Sequence, residues 1–145
     1  MKRANIDNPI PFSLEASGYR KLGMLAALIR NEQIKSGTVL LWDEPENSLN
    51  PELVPVLIDI LLELSANGVQ IFVATHDYII ARYLDVRKNK DIPVLFHILS
   101  KKDNGQILCR SSQEYTELPD NSLEKANENL FEAVVSNAMG VDDDE

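Results

Sequence analysis

The first half of the chain alternates between hydrophobic residues at helical spacing and short continuous hydrophobic runs. Helical spacing predicts one helix from about Ser17 to Glu32 and a second that starts at Asn50-Pro51 and ends at Asn67-Gly68. The continuous runs at residues 38–42 and 69–74 predict buried strands, because strands covered on both faces carry few polar positions. This strand, helix, strand order predicts a βαβ unit whose two strands are parallel.

The second half has weaker but consistent patterns. A short helix is predicted near residues 78–85. Residues 93–99 and 106–110 predict two strands, and the Asn104-Gly105 turn between them is typical of a hairpin. A last helix is predicted over residues 122–138. The sequence therefore predicts an α/β fold that ends in a hairpin and a helix.

Length and composition fit one globular domain. The chain has 145 residues, 44% of them hydrophobic, which is enough to build a core. We expect a single domain over residues 1–140, with an extended lead-in at 1–16 where Pro9 and Pro11 disfavour helix. The acidic end at 141–145 resembles a metal-binding cluster, but consecutive acids at a terminus are typical of a solvated, disordered tail.

Charge and cysteine content narrow the classes of function. The chain carries 23 acidic and 14 basic residues, a net charge of -9, which argues against a main nucleic-acid-binding surface, so any nucleic acid would be contacted through a partner. Cys109 is the only cysteine, which rules out an intramolecular disulfide and a CxxC-type zinc site. Since no apolar run approaches the ~20 residues that span a bilayer and the start is polar, we expect a soluble, cytoplasmic protein without membrane contact.

The residues best suited to catalysis or metal binding are two neighbouring acids. Asp43 and Glu44 end the first hydrophobic run and are followed by Pro45, which cannot continue a strand. Ligands bind at the carboxyl ends of strands in open α/β sheets, so both acids would project into a crevice. One carboxylate can hold a hydrated Mg²⁺ and the other can orient the attacking water. A strand that simply stops in an acidic turn fits these two residues equally well.

Three further features agree with a phosphate site, and each has a simpler alternative. Ser17-Gly18 lies at a helix start, where backbone N–H groups favour an anion, although serine is also an ordinary helix cap. His76 follows the second buried strand, from which an imidazole could reach a γ-phosphate, although a lone histidine is more often structural. The polar loop at 46–51 joins the acids to the next helix, which capping alone would explain.

Four motifs in this order resemble the carboxyl-terminal half of an ABC-type ATPase. They are Ala16–Lys21, Leu40–Pro45, Asn47–Pro51 and Thr75–Asp77. The sequence is most similar to the AAA-type core of the overcoming-lysogenization-defect ATPases and their relatives in DNA repair and phage defence, over residues 13–85. The resemblance implies part of a P-loop NTPase-type three-layer sandwich with a mainly parallel sheet, followed by the hairpin and the last helix.

The resemblance also implies roles for the two acids and for the histidine. Asp43 matches the Walker B aspartate that holds Mg²⁺ through water, and Glu44 matches the acid that polarises the attacking water. His76 matches the switch histidine. ATP is then the substrate and Mg²⁺ the cofactor.

Other matched positions imply contacts across a head-to-tail dimer. Ser17 and Gly18 match the signature motif, which reaches the γ-phosphate held by the opposite subunit. Ser48 to Asn50 match the D-loop, which links the two sites, so Ser48 and Asn50 are expected at the ATP. Tyr19 stands where the common signature has a second glycine, and Asn50 where the D-loop often has an aspartate.

The sequence lacks the phosphate cradle of such ATPases. It contains no Gly-x-x-x-x-Gly-Lys-Ser/Thr string, so ATP binding by this chain alone is expected to be weak. The chain therefore looks like the second half of an ATPase core, from a truncated gene, a split gene or a fragment, which needs a Walker A-bearing partner. The alternative is a non-catalytic module that docks on a complete ATPase. A metal nuclease is excluded because no ordered acidic cluster remains.

The missing cradle has a structural consequence. In related sheets the cradle strand lies next to the strand that precedes the switch histidine, so its absence leaves the strand at 69–74 with an unpaired edge. We expect either the strand at 93–99 or another chain to cover that edge.

Overall fold

A computed structural model describes residues 17–102, 104–119 and 121–139. The chain divides into two compact units, Met1–Ala74 and Thr75–Glu145, and each is described by itself. The single domain expected over residues 1–140 stays a prediction. The expected extended lead-in and the acidic tail lie outside the described residues.

The first unit contains two helices and two strands in alternation. Helix α1 spans Ser17–Arg30, strand β1 Val39–Asp43, helix α2 Val54–Ala66 and strand β2 Gln70–Ala74, and one 3₁₀ turn at Pro51–Leu53 precedes α2. β1 and β2 are parallel, so the predicted βαβ unit is confirmed.

The 3₁₀ turn at Pro51–Leu53 begins where the sequence predicts the second helix, and α2 itself begins at Val54. Asn50 caps the 3₁₀ turn, because its side-chain oxygen accepts a hydrogen bond from the amide of Glu52 at 3.1 Å. Pro51 occupies the first helical position, where its missing N–H costs nothing. The helix ends before Gly68, which has a left-handed φ of 86° that glycine adopts readily.

One face of the two-stranded sheet packs on the helices. Leu40, Trp42 and Ile71 lie on that face against a buried cluster of hydrophobic side chains from α1, α2 and the loops at their ends. The buried members of the cluster are Leu25, Ile34, Leu64 and Val69. The first unit therefore has a core on one side of its sheet.

The opposite face of the same sheet is exposed. The side chains of Val39, Leu41 and Phe72 are 54%, 75% and 49% exposed. The prediction that both strands are buried on both faces is therefore wrong. Side chains alternate between the faces of a strand, and the cluster from α1 and α2 packs against only one of them.

The second unit contains a helix, a hairpin and a last helix. Helix α3 spans Tyr78–Arg87, strands β3 and β4 span Phe96–Lys101 and Ile107–Ser112, and helix α4 spans Ser122–Met139. β3 and β4 are antiparallel, and Gly105 in their turn has a φ of 83°, so the predicted hairpin is confirmed. The residues that form the core of this unit are Ala81, Phe96, Tyr115 and Leu118.

The hairpin also settles one of the two expectations for the edge of β2. β3 pairs with β4, and β2 pairs with β1, in separate two-stranded sheets. The expectation that the strand at 93–99 covers the edge of β2 is therefore wrong. The local Asn-Gly turn favours pairing between β3 and β4, the two strands that it joins.

A network of charges ties α3 to the segment that follows β4. The ammonium of Lys88 donates hydrogen bonds to Asp85 Oδ1 at 2.8 Å, to Glu114 Oε2 at 2.7 Å and to the carbonyl of Gln113. Asp85 Oδ1 also accepts a hydrogen bond from the amide of Tyr115 at 3.2 Å. The side chains of Lys88 and Asp85 are only 15% and 11% exposed, whereas the Glu114 side chain is 55% exposed, so the Lys88–Asp85 pair is the shielded part of this network.

Across the described part of the chain, none of the helices combines the length and apolar character needed to cross a membrane.

Candidate functional site

The acidic turn lies at the carboxyl end of the parallel sheet. Asp43 is the last residue of β1 and is the register partner of Ala74, the last residue of β2. The amide of Glu44 donates a hydrogen bond to the carbonyl of Ala74 at 2.8 Å, which extends the pairing by one residue. Pro45 then ends the strand and is fully buried. Both acids therefore occupy the edge at which α/β sheets bind ligands.

Glu44 has an unusual backbone conformation. Its φ is 44°, in the left-handed region that residues other than glycine seldom adopt. Its carbonyl accepts hydrogen bonds from the amide of Asn47 at 3.1 Å and from the Lys21 ammonium at 3.3 Å. The helix start at α1 is thus tied directly to the acidic turn. No signal in the sequence assigns Lys21 a role of its own.

The two acids differ in their exposure. Glu44 is half-buried, whereas Asp43 is exposed on the same sheet face as Val39 and Leu41. The expectation that both acids project into a crevice is therefore wrong for Asp43. Asp43 is exposed because the described residues do not cover the sheet face on which it lies.

The start of α1 packs closely against the loop that follows the acids. Gly18 is buried, and a Cβ atom added there would lie 3.2 Å from the carbonyl oxygen of Ser48 and 3.1 Å from Leu49 Cδ1. Ser17 is the first residue of α1. The structure therefore brings together two of the segments that the sequence analysis selected, the Ser17-Gly18 helix start and the loop at 46–51.

Ser48 and Asn50 occupy different places in this loop. Ser48 has a φ of 62° and its hydroxyl donates a hydrogen bond to Asn47 Oδ1 at 3.3 Å. Asn50 uses its side-chain oxygen to cap the 3₁₀ turn at Pro51–Leu53 by accepting from the amide of Glu52. Both side chains are exposed.

His76 belongs to the second unit and is exposed. It is flanked by Thr75, whose hydroxyl accepts a hydrogen bond from the amide of Asp77 at 3.0 Å. Asp77 in turn caps α3 by accepting from the amide of Ile79 at 2.6 Å. The backbone on both sides of His76 is therefore held by local hydrogen bonds.

The donor set fits a hydrated magnesium ion better than a closed metal cage. Among residues 17–102, 104–119 and 121–139 there is no group of three or more histidine, cysteine or acidic side chains that could hold a metal. Mg²⁺ keeps several of its waters and is commonly bound by one or two carboxylates together with substrate phosphates. Asp43 supplies one such carboxylate, and Glu44 follows it directly in the chain.

More than half of the chain matches a known protein family. Residues 4–82 match the family described as "AAA domain, putative AbiEii toxin, Type IV TA system". The chain belongs to this AAA-domain family. The match includes both acids, the Ser17-Gly18 helix start, the loop at 46–51 and His76.

Curated relatives of this AAA-domain chain include ATP-binding proteins of importers. L-cystine import ATP-binding protein TcyN of Bacillus subtilis (strain 168) is 32% identical over 120 residues, which are 74% of this chain and 44% of TcyN. Glutamate/aspartate import ATP-binding protein GltL of Escherichia coli (strain K12) is 28% identical over 75 residues, which are 52% of this chain and 29% of GltL. The chain thus spans less than half the length of either relative. The resemblance to ABC-type and AAA-type ATPases is confirmed.

A solved structure supports the fold. A chain from a study of ATP-driven dimerization and DNA-stimulated activation of SMC ATPases aligns with a TM-score of 0.55 and 21% identity. The alignment covers 84% of this chain and 63% of that one. The predicted α/β, P-loop NTPase-type fold is therefore confirmed.

Proposed function

We propose that this AAA-domain chain binds and hydrolyses ATP in a Mg²⁺-dependent reaction, as the carboxyl-terminal half of an ATPase core. The observation that carries the proposal is the packing of the Ser17-Gly18 helix start against the loop that continues from the acidic turn. The helix start is suited to a phosphate held by a second subunit, and the acidic turn of the same unit is suited to hydrated Mg²⁺ at its own site. A merely structural acidic turn would not require that arrangement.

The two acids have separate roles in the proposed reaction. Asp43 would hold the hydrated Mg²⁺, which offsets the negative charge of the phosphates. Glu44 is half-buried and orients the attacking water and accepts its proton. Asp43 is more exposed and acts through the water shell of the metal.

We propose that the other selected residues lie at or near the triphosphate. The backbone N–H groups of Ser17 and Gly18, at the start of α1, face the γ-phosphate held by the opposite subunit of a head-to-tail dimer. Ser48 and Asn50 lie at the boundary between the two subunits, and Ser48 offers its hydroxyl there. His76 contacts the γ-phosphate, which is proposed from its place directly after β2 in the sequence.

A partner or a further segment completes the site. The 145 residues contain no glycine-rich cradle with its lysine, so the β- and γ-phosphates must be held by a Walker A-bearing polypeptide. The exposed hydrophobic face at Val39, Leu41 and Phe72 supports this requirement, because parallel sheets are normally covered on both faces. We propose that the cradle-bearing polypeptide covers this face.

We propose that the reaction takes place in the cytoplasm, where ATP is abundant and a single cysteine stays reduced. Nucleic acid would be contacted only through the partner, because this chain carries a net charge of -9.

The experiment uses the chain together with a cradle-bearing polypeptide encoded beside it. ATP hydrolysis is measured for each protein alone and for the mixture, with and without Mg²⁺. We expect hydrolysis only in the mixture with Mg²⁺, and its loss in Glu44→Gln, while ATP binding persists. Glu52→Gln is the matched control, because Glu52 is an exposed acid in the following 3₁₀ turn.

The same experiment tests a second candidate function. The exposed hydrophobic face would also suit a non-catalytic module that docks on a complete ATPase. Hydrolysis that depends on the mixture but is unchanged by Glu44→Gln would favour docking and overturn the catalytic proposal.

A further inference from the structure

The peptide group of Glu44 is held from three directions. Its amide donates to Ala74, and its carbonyl accepts from the amide of Asn47 and from the ammonium of Lys21. Two of these contacts are backbone bonds of the strand end and the turn. The third comes from a side chain 23 residues earlier, in the second turn of α1.

The backbone at Glu44 needs such support. A φ of 44° brings the Cβ of an L-residue close to its own carbonyl oxygen, and residues persist in this region only when their surroundings fix them. The direction of the Glu44 side chain depends on that φ. A relaxed backbone at Glu44 would therefore aim the carboxylate elsewhere.

We infer that Lys21 is a positioning residue for Glu44. The Lys21 ammonium holds the Glu44 carbonyl in the left-handed turn and thereby aims the carboxylate that orients the attacking water. This inference rests on the proposed role of Glu44 in ATP hydrolysis. It also gives the phosphate-facing helix start a direct link to the acid, since Ser17 and Lys21 are one helical turn apart.

Contacts other than the Lys21 hydrogen bond anchor α1, so positioning of Glu44 can be distinguished from anchoring of the helix. α1 is held against the loop at Gly18 through close contact with Leu49, and in the core through Leu25. Neither contact involves Lys21. Removal of the ammonium should therefore leave α1 in place and loosen only the turn at Glu44.

The first test uses the chain by itself and measures amide hydrogen exchange at residues 44–49. The amides of Glu44, Asn47 and Leu49 report on the turn, since each donates a backbone hydrogen bond. Lys21→Met should speed their exchange by about tenfold, the order expected when one hydrogen bond to a charged group is lost. Lys21→Arg should restore most of the protection, because arginine also offers donors on a long stem.

Arg30→Met is the matched control, because Arg30 is an exposed basic residue at the end of the same helix. It should leave exchange at 44–49 unchanged. Equal exchange in the wild type and Lys21→Met, or no rescue by Lys21→Arg, would overturn the inference.

The second test measures the kinetics of the assembly with the cradle-bearing polypeptide. Misplacement of a catalytic group by about 1 Å can cost on the order of 10²-fold, so kcat of Lys21→Met should fall by about 10- to 100-fold. KM for ATP should change by less than about twofold, because an interaction that acts in the transition state changes kcat and not substrate binding. Lys21→Arg should recover most of kcat.

The two tests separate this inference from the proposed function. A wild-type assembly without ATPase activity would contradict the proposed function, whereas the exchange experiment would still decide whether Lys21 holds the turn. Faster exchange combined with a change in KM alone would show that Lys21 does not position Glu44 for catalysis.

Discussion

Gly18 and Leu49 approach each other so closely that a Cβ on Gly18 would lie 3.2 Å from the Cα atom of Leu49. Contacts of this length to backbone atoms are tighter than ordinary van der Waals contacts. The helix start and the loop after the acids can adopt this distance because position 18 has no side chain. The close approach therefore fixes the start of α1 against the loop that follows the acids in the same chain.

We expect Gly18→Ala to destabilise the chain. Alanine favours helix by about 1 kcal/mol over glycine, but the added methyl would meet Leu49 and the Ser48 carbonyl. Overpacking of this kind costs about 1–3 kcal/mol, so the clash should dominate. The free energy of unfolding in urea measures the difference. Ala27→Ser is the control, because Ala27 lies at an exposed position of the same helix, and it should change stability by less than about 0.5 kcal/mol. A Gly18→Ala variant as stable as the wild type would contradict the close contact.

Lys88→Met should destabilise the chain by about 2 kcal/mol, because hydrogen bonds to charged groups contribute about 1.5–3 kcal/mol. Methionine keeps the apolar stem but leaves Asp85 and Glu114 without the ammonium. Urea unfolding measures this loss. Lys90→Met is the control, since Lys90 is exposed in the loop after α3 and should have little effect. Equal losses from both variants would show that the network contributes no specific stability.

Asp85 should make stability depend on acid pH. Burial by itself would raise the pKa of Asp85, but the hydrogen bonds from Lys88 and the Tyr115 amide, and the nearby positive charges, outweigh it and lower the pKa below its usual value. The folded state therefore favours the ionised form. This contribution is complete above the unfolded pKa of about 3.9 and is lost as the pH falls through the lower folded pKa.

The measurement for Asp85 is urea unfolding between about pH 2 and pH 7. The stability of the wild type should fall more steeply on acidification than that of Asp85→Asn, which cannot titrate at this position. Asp91→Asn removes an exposed acid nearby and should keep the steep wild-type dependence. If the stabilities of the wild type and Asp85→Asn fall equally on acidification, groups other than Asp85 cause the acid sensitivity.

Local signals in the sequence were sufficient to predict the elements. The apolar spacing of the first helix predicted an end at Glu32, and α1 ends at Arg30, where the next residues form a turn with Glu32 at a φ of 57°. Asn50 and Pro51 predict where helical structure begins before α2, because capping depends on neighbouring residues alone. The 3₁₀ form of its first turn has no such signal.

Features that depend on distant parts of the chain could not be predicted. The hydrophobic runs of β1 and β2 predicted strands buried on both faces, but burial also requires a covering layer, and Leu41 lacks one in the described structure. The left-handed backbones of Glu44 and Ser48 carry no glycine that would mark them. The contact between Lys21 and Glu44 depends on how α1 packs against the loop.

The open face of the β1–β2 sheet has a consequence for the cell. Exposed hydrophobic surface is what chaperones and proteases recognise in incompletely assembled proteins. If the proposed cradle-bearing polypeptide covers Leu41 and Phe72, copies of this chain made in excess of it would be retained or degraded, and the abundance of the chain would follow that of the covering polypeptide.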